Sequence, residues 1–380
     1  MLLELRQFSG EAPSIPVRKL GEGIAANAVN TRYDKARLEA WKQFETIQAL
    51  TTATESVYKY QGSFIESNRK RSYVKDIIPN DVRERVVYTE EGTYPQIRSG
   101  GSTFRLGIPA PTGFVASLNT AGDTSDPLSV ETWYYVCTFV TDWGEEGPPS
   151  AASGGVTVGV GGIVNLGLPN FPSGSYNFGG SARIRIYRSN AGTDNAYFQF
   201  LTEATAGQAG TNITDSALSS SLQEVLPSAT WYGPPNDNTS DYPDGPLRGL
   251  ISLPNGILAG YAGNTVYLSE PYLPHAWPYK LSVTATISGL ATTAGGAVVL
   301  TDKGPYAIVG TSPGSMVLKR MDSDKGCLSE DSIVDMGDYA IYAAADGLIA
   351  VDSGGVRVLS EGYFTKEDWE LLNPSTISGM

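Results

Sequence analysis

The sequence predicts an all-β protein, and three observations lead to this fold class. Glycine and proline number 43 and 23 among the 380 residues, without the regular period of collagen. Short runs rich in Val, Ile, Thr and Tyr lie between these residues, a pattern typical of many short strands joined by tight turns. A composition of 41% hydrophobic and 18% charged residues is that of a folded protein with apolar cores.

The first hundred residues contain one helical pattern and two strand patterns. Apolar side chains recur in steps of three in DKARLEAWKQFETIQAL, which predicts a short helix capped by Asp34; they are Leu38, Trp41, Phe44 and Ile47. The segments TESVYKYQGSFIES and RERVVYTEEGTYPQI have the alternation of strands. We expect hairpins there, the second with a turn at Glu91 and Gly92.

A new pattern begins at GIPAPTGFVASLN, where Pro109 and Pro111 interrupt any strand ladder. The run ETWYYVCTFVTDWGEEGPPS then contains a strong strand whose alternate residues are Trp133, Tyr135, Cys137 and Phe139. Further strands are predicted in VTVGVGGIVNLGL, ARIRIYRSNAG and YFQFLTEAT, and in the second of these isoleucine and arginine alternate. About seven short strands with two apolar faces predict an immunoglobulin-like or fibronectin III-like sandwich over residues 108–235.

The segment ATWYGPPNDNTSDYPDGP is polar and proline-rich, and we interpret it as the linker that ends the sandwich. Strand-turn-strand units follow in LRGLISLPNGILAGYAGNTVYLSEP, AVVLTDKGPYAIVGT and DSIVDMGDYAIYAAADGLIAVDSGGVRVLS. Hairpin sheets that recur about every 40–50 residues are typical of β-propeller blades. The predicted domains are therefore an N-terminal segment with the first propeller strands (1–107), the sandwich (108–235) and propeller blades (236–380).

Several of these segments resemble a known family. The stretches LPNGILAGYAGNTVYLSEPYLPHAWP (253–278), VCTFVTDWGEEGPPS (136–150), RIRIYRSNAGTDNAYFQFL (183–201) and TDSALSSSLQEVLPSATWYGPP (214–235) are similar to the tail nozzle proteins of short-tailed bacteriophages, also called tail tubular protein B. The stretch FSGEAPSIPVRKLGEGIAANAVN (8–30) resembles the opening of that family, and RVVYTEEGTYPQI resembles the strand before its inserted domain.

The resemblance implies a β-propeller into which a fibronectin-like platform domain is inserted. It implies a homo-oligomeric ring of six copies below the portal and adaptor ring, in contact with tail fibres or spikes, through which the genome passes without specific binding. It also implies that DKARLEAWKQF is extended rather than helical. A six-bladed propeller needs more chain than the blades predicted here supply, so either the propeller is short or its remainder lies on another chain or was lost.

The charge of the chain is unevenly distributed. Residues 1–107 contain 16 Lys and Arg and 13 Asp and Glu, a net charge of +3, whereas residues 108–380 contain 11 and 27, a net charge of −16. A surface with this excess of acids repels phosphate backbones. We expect DNA to slide past such a wall.

The sequence also carries expectations about location. The stretch MLLELRQFSGEAPSIP has no uninterrupted apolar core of a signal peptide, and no stretch approaches the roughly 18 apolar residues of a membrane span. We therefore expect no membrane insertion. The resemblance to nozzle proteins implies assembly in the host cytoplasm and a place in the tail of the virion.

Few residues suggest chemistry. His275 is the only histidine, and we expect it to pack rather than to catalyse. Cys137 and Cys327 have no neighbouring ligand residues and are expected to be free and buried. The basic run Asn68–Arg71 could meet phosphate, but a solvated loop or a salt-bridging edge between subunits is the favoured interpretation.

Acidic residues form three pairs that could serve a glycosidase, and all three occur at glycine-rich turns, where acids commonly cap the turn. The pairs are Glu145 with Glu146, Asp322 with Asp324, and Asp346 with Asp352. Asp322, Asp324 and Glu330 imitate a calcium loop, but the glycine is one position early and one oxygen ligand is missing. The sequence therefore predicts no catalytic residue, no cofactor and no metal site, and leaves calcium at this loop open.

A second hypothesis is a receptor-binding or glycan-degrading tail protein. The chain contains 21 Tyr and 6 Trp, and Trp143 and Trp277 are the rings that this hypothesis would stack on sugars. Most rings in tyrosine-rich β proteins serve as core and cross-strand pairs instead. An extracellular adhesion module with a fibronectin-type domain is a third, reserve hypothesis.

Overall fold

A computed structural model describes residues 8–33, 37–43, 45–51, 53–75, 77–190 and 197–379. The all-β prediction is confirmed, because 39% of the chain is strand and 8% is helical, with many small sheets. The helical part that is described consists of one α-helix, α1 (Lys366–Leu371), and short 3₁₀ segments. These are Val17–Lys19, Pro127–Ser129, Ala206–Gln208, Ser219–Ser221, Pro254–Gly256, Pro313–Ser315, Glu330–Ser332 and Pro374–Thr376.

The strands are short, as the spacing of glycine and proline predicts. In chain order, those described are β1 Gly10–Glu11, β2 Ile24–Ala25, β3 Thr31–Arg32, β4 Glu39–Ala40, β5 Ser56–Tyr60, β6 Ser63–Ser67, β7 Arg71–Lys75, β8 Val86–Glu90, β9 Gln96–Ser99, β10 Ser102–Arg105, β11 Val115–Thr120, β12 Glu131–Trp133, β13 Tyr135–Val140, β14 Val156–Val158, β15 Ile163–Gly167, β16 Arg183–Ser189, β17 Phe198–Thr205, β18 Asn212–Asp215, β19 Arg248–Leu253, β20 Ile257–Ala262, β21 Thr265–Leu268, β22 Tyr279–Ser282, β23 Ile287–Thr293, β24 Gly296–Thr301, β25 Tyr306–Val309, β26 Val317–Arg320, β27 Val334–Asp335, β28 Ala340–Ala344, β29 Gly347–Asp352 and β30 Gly355–Val358.

Four sheets each contain four strands that are consecutive in the chain. They are β7 to β10, β19 to β22, β23 to β26 and β27 to β30. Consecutive strands in one sheet form a meander, which is the strand order of a propeller blade. The turns fall where the sequence places them: Gly92 follows β8 with φ +75°, and Gly347 and Gly355 open β29 and β30.

The chain divides into two compact units. One comprises Met1–Arg71, Gly263–Val266 and Leu281–Met380, and the other comprises Ser72–Ala262 and Tyr267–Lys280. In the first unit, β23 and β24 share a core with β28 and β29, in which Val298, Leu300, Tyr342 and Ile349 are buried.

The second unit contains two main cores. One of them contains Val87 of β8, Ile97 of β9 and Leu258 of β20, together with Leu247 and Trp277. The other core lies in a sandwich whose sheets have the orders β11-β15-β18 and β13-β16-β17, with the pair β12-β14. The predicted domain limits at 107 and 235 stay a prediction.

The sandwich core contains the alternating residues of β13 that the sequence singles out. Tyr135, Cys137 and Phe139 face Ile184 and Ile186 of β16 in this core. The intervening residues of β13 are buried as well. Val136 belongs to a smaller cluster with Tyr187 and Leu226, which Phe198 and Phe200 cover. Both faces of β13 are therefore removed from water.

The described residues of the segment predicted as a helix, 34–50, are not helical. In the described parts, Glu39–Ala40 is a strand that pairs with β3, and residues 41–43 and 45–50 have no regular structure. Leu38 and Trp41 are more than half exposed, and Ile47 is 83% exposed. A short helix is stable only when its apolar strip is buried, and these apolar side chains face solvent. Asp34 and Phe44 lie outside the described residues.

Candidate functional site

His275 lies in the interior of the second unit. Its Nδ1 is 3.7 Å from Glu145 Oε1, its ring makes an edge contact with Trp231, and only 5% of the residue is exposed. Neither ring nitrogen has a hydrogen-bond partner among the described residues. Burial lowers the pKa of the imidazole, which keeps it neutral. The adjoining cavity measures about 10 Å³, about the size of one water molecule, so no substrate can reach the ring.

Glu145 and Glu146 are consecutive but serve different partners. Glu145 accepts a hydrogen bond of 2.7 Å from Arg85, whose Nε donates to Asp81. Glu146 is 8% exposed and accepts from Thr138 and Tyr187 at 2.7 and 2.6 Å. These two carboxylates are structural acceptors and do not form the facing pair that a glycosidase needs.

The acids of the first unit also occupy separate positions. Asp346 pairs with Lys325, and Asp352, at the other end of β29, accepts from the backbone N–H groups of Gly354 and Gly355 at 2.7 and 3.0 Å. Asp352 therefore caps a turn, whereas Asp346 is one partner of an ion pair.

The calcium-like loop is open at the surface. Asp322 and Asp324 lie beside Arg320 in an exposed depression, and Glu330 belongs to the 3₁₀ segment Glu330–Ser332. Within the described ranges, no three His, Cys, Asp or Glu side chains come together as a metal ligand set.

The basic run is engaged within the chain. Lys70 Nζ lies 2.7 Å from both carboxylate oxygens of Asp331, and the backbone carbonyl of Arg69 accepts from Ser56. Arg71 begins β7. An ion pair within one unit is thus present where the sequence suggests either a solvated loop or an edge between subunits.

The two tryptophans chosen for sugar stacking differ in burial, because Trp277 is buried and Trp143 is partly buried. Trp277 is 1% exposed, and its indole N–H donates to the carbonyl of Pro274 at 2.8 Å. Trp143 packs edge-on against Phe104, and the guanidinium carbon of Arg85 lies 5.1 Å from its ring centre. The expectation that Trp277 stacks on a sugar is therefore wrong, because its ring is buried, whereas the expectation for the partly buried Trp143 stays a prediction.

A fully buried arginine lies in the sandwich. Arg188 of β16 lies on the same face as Ile184 and Ile186, whereas the sequence pattern groups it with the outward arginines. Its NH1 donates to Asp215 at 2.7 Å, and its guanidinium lies 3.9 Å from the centre of the Trp133 ring. The Tyr135 hydroxyl donates to the same carboxylate at 2.8 Å. Asp215 thereby neutralises a cation that could not otherwise be buried.

A groove of about 700 Å³ lies beside aromatic side chains in the second unit. We call it the 231–242 groove, because Trp231, Tyr232, Asp237, Asp241 and Tyr242 line it. Residues 105–110 and 112, Pro148, Pro149 and Tyr176 also contribute to its walls. Its volume is in the range of ligand-binding pockets.

The aromatic side chains that line the groove differ in exposure and in the hydrogen bonds of their polar atoms. Tyr232 is 60% exposed, whereas the Tyr242 hydroxyl donates to the Gly233 carbonyl at 3.0 Å. In the described parts of the chain, no side-chain hydrogen bond is made by the indole N–H of Trp231 or by the hydroxyls of Tyr176 and Tyr232.

The charged side chains that line the groove are Arg105, Asp237 and Asp241. Arg105 is held by an ion pair with Asp237 and by Tyr94, whose ring centre lies 3.7 Å from the guanidinium carbon. Asp237 keeps half of its side chain exposed. One carboxylate oxygen of Asp241 accepts from Asn238 at 2.8 Å. Oxygens that accept hydrogen bonds thus face solvent beside aromatic rings.

Sequence reasoning missed this groove because it interprets residues 229–246 as a linker. The available signal was composition: two adjacent aromatic residues and several acids in a long segment without regular structure. Loops of that length inside a folded domain are often functional.

Comparisons with known proteins give a weak structural similarity and no family. No family model matches the chain, and no curated protein matches it significantly. One similar solved structure is described as "Crystal Structure of Mitotic Checkpoint Complex"; it is 13% identical, and the match covers 86% of this chain and 98% of that chain. Its TM-score of 0.19 is too low to support an argument about the fold. Among the described residues, no helix is both long enough and apolar enough to cross a membrane.

Proposed function

We propose that this chain is a structural subunit of a bacteriophage tail nozzle, a ring below the portal and adaptor through which DNA is ejected. The observation that carries the proposal is the order of sheets along the chain. A four-stranded meander (β7 to β10) precedes a sandwich (β11 to β18), and three further meanders (β19 to β30) follow it. This is the order implied by the resemblance to nozzle proteins, a propeller with an inserted platform domain.

The charge of the chain supports the same role. Residues 108–380 carry a net charge of −16. A polyanion that must slide through a channel is slowed by lysine or arginine contacts, and an acidic wall provides none. In this proposal the protein is found in the virion tail and its neighbours are the adaptor ring and tail fibres or spikes.

The side chains that could have supported an enzyme have structural partners. His275 is buried beside a cavity of about 10 Å³, and Glu146 accepts two short hydrogen bonds from buried groups. The glycan-degrading alternative also loses Trp277 as a stacking platform, because its ring is buried. These contacts favour the nozzle over the enzymatic alternative.

Assembly is the direct test. We expect the purified full chain, at micromolar concentration and mixed with the adaptor protein of the same virus, to form closed rings in negative-stain images, with six subunits by sedimentation velocity. Monomers alone, with and without the adaptor, would contradict the proposal.

Binding to DNA gives a second test. We expect linear double-stranded DNA to migrate unretarded with the assembled ring at low salt, where electrostatic attraction is strongest. Retardation that disappears with added salt would indicate a cationic channel and would argue against a passive conduit. Release of reducing ends from host polysaccharide would favour the enzymatic alternative.

A further inference from the structure

We propose that the 231–242 groove binds a neutral oligosaccharide. The inference does not depend on the nozzle function, because it is argued only from the side chains that line a groove of the second unit. Three features of the groove carry it: its size, the exposed ring of Tyr232 with three partly buried aromatic rings in the same lining, and two aspartates that can accept hydrogen bonds.

The size of the groove excludes most small ions as its natural ligand and suits a chain of a few sugar rings. A volume of about 700 Å³ lies well inside the range of pockets that bind organic molecules. The groove is also open along one side, since Tyr232 and Asp237 are both at least half exposed. An oligomer can therefore enter and extend beyond it.

The ring of Tyr232 provides a flat apolar surface in contact with water. Tyr232 is 60% exposed. It therefore lacks the core or cross-strand packing that most tyrosines of β proteins have. Trp231 lies next to it in the chain, and Tyr176 and Tyr242 line the same groove. A pyranose ring has one face of C–H groups, and such a face packs on an aromatic ring.

The carboxylates of Asp237 and Asp241 favour a ligand that carries hydrogen-bond donors. Asp237 and Asp241 present carboxylate oxygens to the groove, and the one cation among the described residues that line it, Arg105, is already paired with Asp237. A sugar carries many O–H donors that match these oxygens. A nucleic acid or an acidic glycan would be repelled by them. A polyproline helix has no N–H donors and would leave both carboxylates desolvated.

The test uses the full chain and an array of neutral oligosaccharides of hexoses and N-acetylhexosamines, with the best binder then measured by titration calorimetry. We expect saturable binding that Tyr232→Ala weakens by about tenfold, because an exposed stacking ring is removed without a change in any core. Asp241→Asn keeps the shape but loses the charge and should weaken binding several-fold.

The matched control is Tyr197→Ala, which removes another half-exposed tyrosine of the same unit that does not line the groove. It should leave binding unchanged, and the thermal unfolding midpoints of all three variants should stay close to that of the parent protein. A polyproline peptide and an oligolysine peptide complete the panel.

Three outcomes would overturn the proposal. The first is the absence of binding across the whole array at millimolar sugar. The second is sugar binding that Tyr232→Ala leaves intact, which would move the site elsewhere. The third is a peptide that binds more tightly than every sugar and is lost with Tyr232→Ala, which would assign the groove to a protein partner.

Discussion

Buried polar side chains are the most constrained residues of the second unit. Arg188 is fully buried and depends on Asp215, and Asp215 also accepts from the Tyr135 hydroxyl. Burial and the adjacent Asp215 carboxylate both raise the pKa of Tyr135, so the phenol stays protonated as a donor. His275 is buried without any hydrogen bond to its ring among the residues described. Each of these groups makes stability depend on one partner or on one protonation state.

Removing Asp215 should be strongly destabilising. We expect Asp215→Ala to lower the free energy of unfolding by about 3–5 kcal/mol, because it leaves the Arg188 cation buried and unpaired. Urea unfolding followed by circular dichroism measures the change.

The control is a surface ion pair of the same sandwich. Glu203 lies 3.6 and 3.8 Å from Arg185 and Arg183, and nearly half of its side chain is exposed. We expect Glu203→Ala to change stability by less than about 1 kcal/mol. Equal effects of the two variants would contradict the importance assigned to burial.

His275 should make the free energy of unfolding depend on pH near its ordinary pKa. Burial lowers the pKa of His275 in the folded state below its ordinary value of 6.5. As the pH falls through about 6.5, the unfolded chain takes up a proton that the folded chain does not, so the free energy of unfolding decreases. Glu145, Glu146 and Arg85 lie around the imidazole.

Comparison of the wild type with His275→Gln isolates this effect. We expect the unfolding free energy of the wild type to fall between about pH 7.5 and pH 5.5, and that of the variant to fall less steeply, whatever its absolute stability. Parallel curves would mean that the imidazole titrates normally in the folded state.

At the scale of the elements, tight turns determine how the short strands meet. Gly122 and Gly161 both adopt positive φ, at +73° and +74°, in neighbouring loops of the sandwich. A Cβ at Gly122 would lie 2.5 Å from the backbone nitrogen of Gly162, whereas a Cβ at Gly161 would meet nothing within 4 Å. The two glycines therefore have nearly the same φ and differ in how close neighbouring atoms lie to an added Cβ.

This pair allows strain and steric crowding to be separated. Gly161→Ala should cost about 1 kcal/mol, the ordinary penalty for alanine at positive φ. Gly122→Ala should cost at least about 1 kcal/mol more, because the backbone it meets cannot move aside as a flexible side chain does. Thermal unfolding of both variants gives the comparison, and similar midpoints would show that the loops adjust freely.

At the scale of the whole chain, each compact unit contains one cysteine in its own core. Cys327 lies in the core of the first unit and Cys137 in the sandwich core of the second. Burial raises the pKa of Cys137 to about 12 and that of Cys327 to about 11. Both thiols should therefore be protonated and unreactive in the folded protein.

Thiol labelling should consequently report on the two units separately. We expect no reaction with a disulfide reagent in native buffer, and reaction of each thiol at the urea concentration that unfolds its own unit. The variants Cys137→Ala and Cys327→Ala assign the two signals. Rapid labelling of either thiol without denaturant would show that its core opens readily.

The sequence by itself determined the all-β class, the buried alternation of β13 and the places of most turns. These properties depend on residues close together in the chain, where alternation and glycine act through local geometry. The 34–50 helix was wrong because helical spacing also needs a surface that buries it. Only the tertiary structure placed Arg188 and Trp277 inside, packed Trp143 partly against a core, and brought Arg105, Tyr176 and Tyr232 around one groove. Those features depend on contacts between distant segments, which a pattern in one segment does not encode.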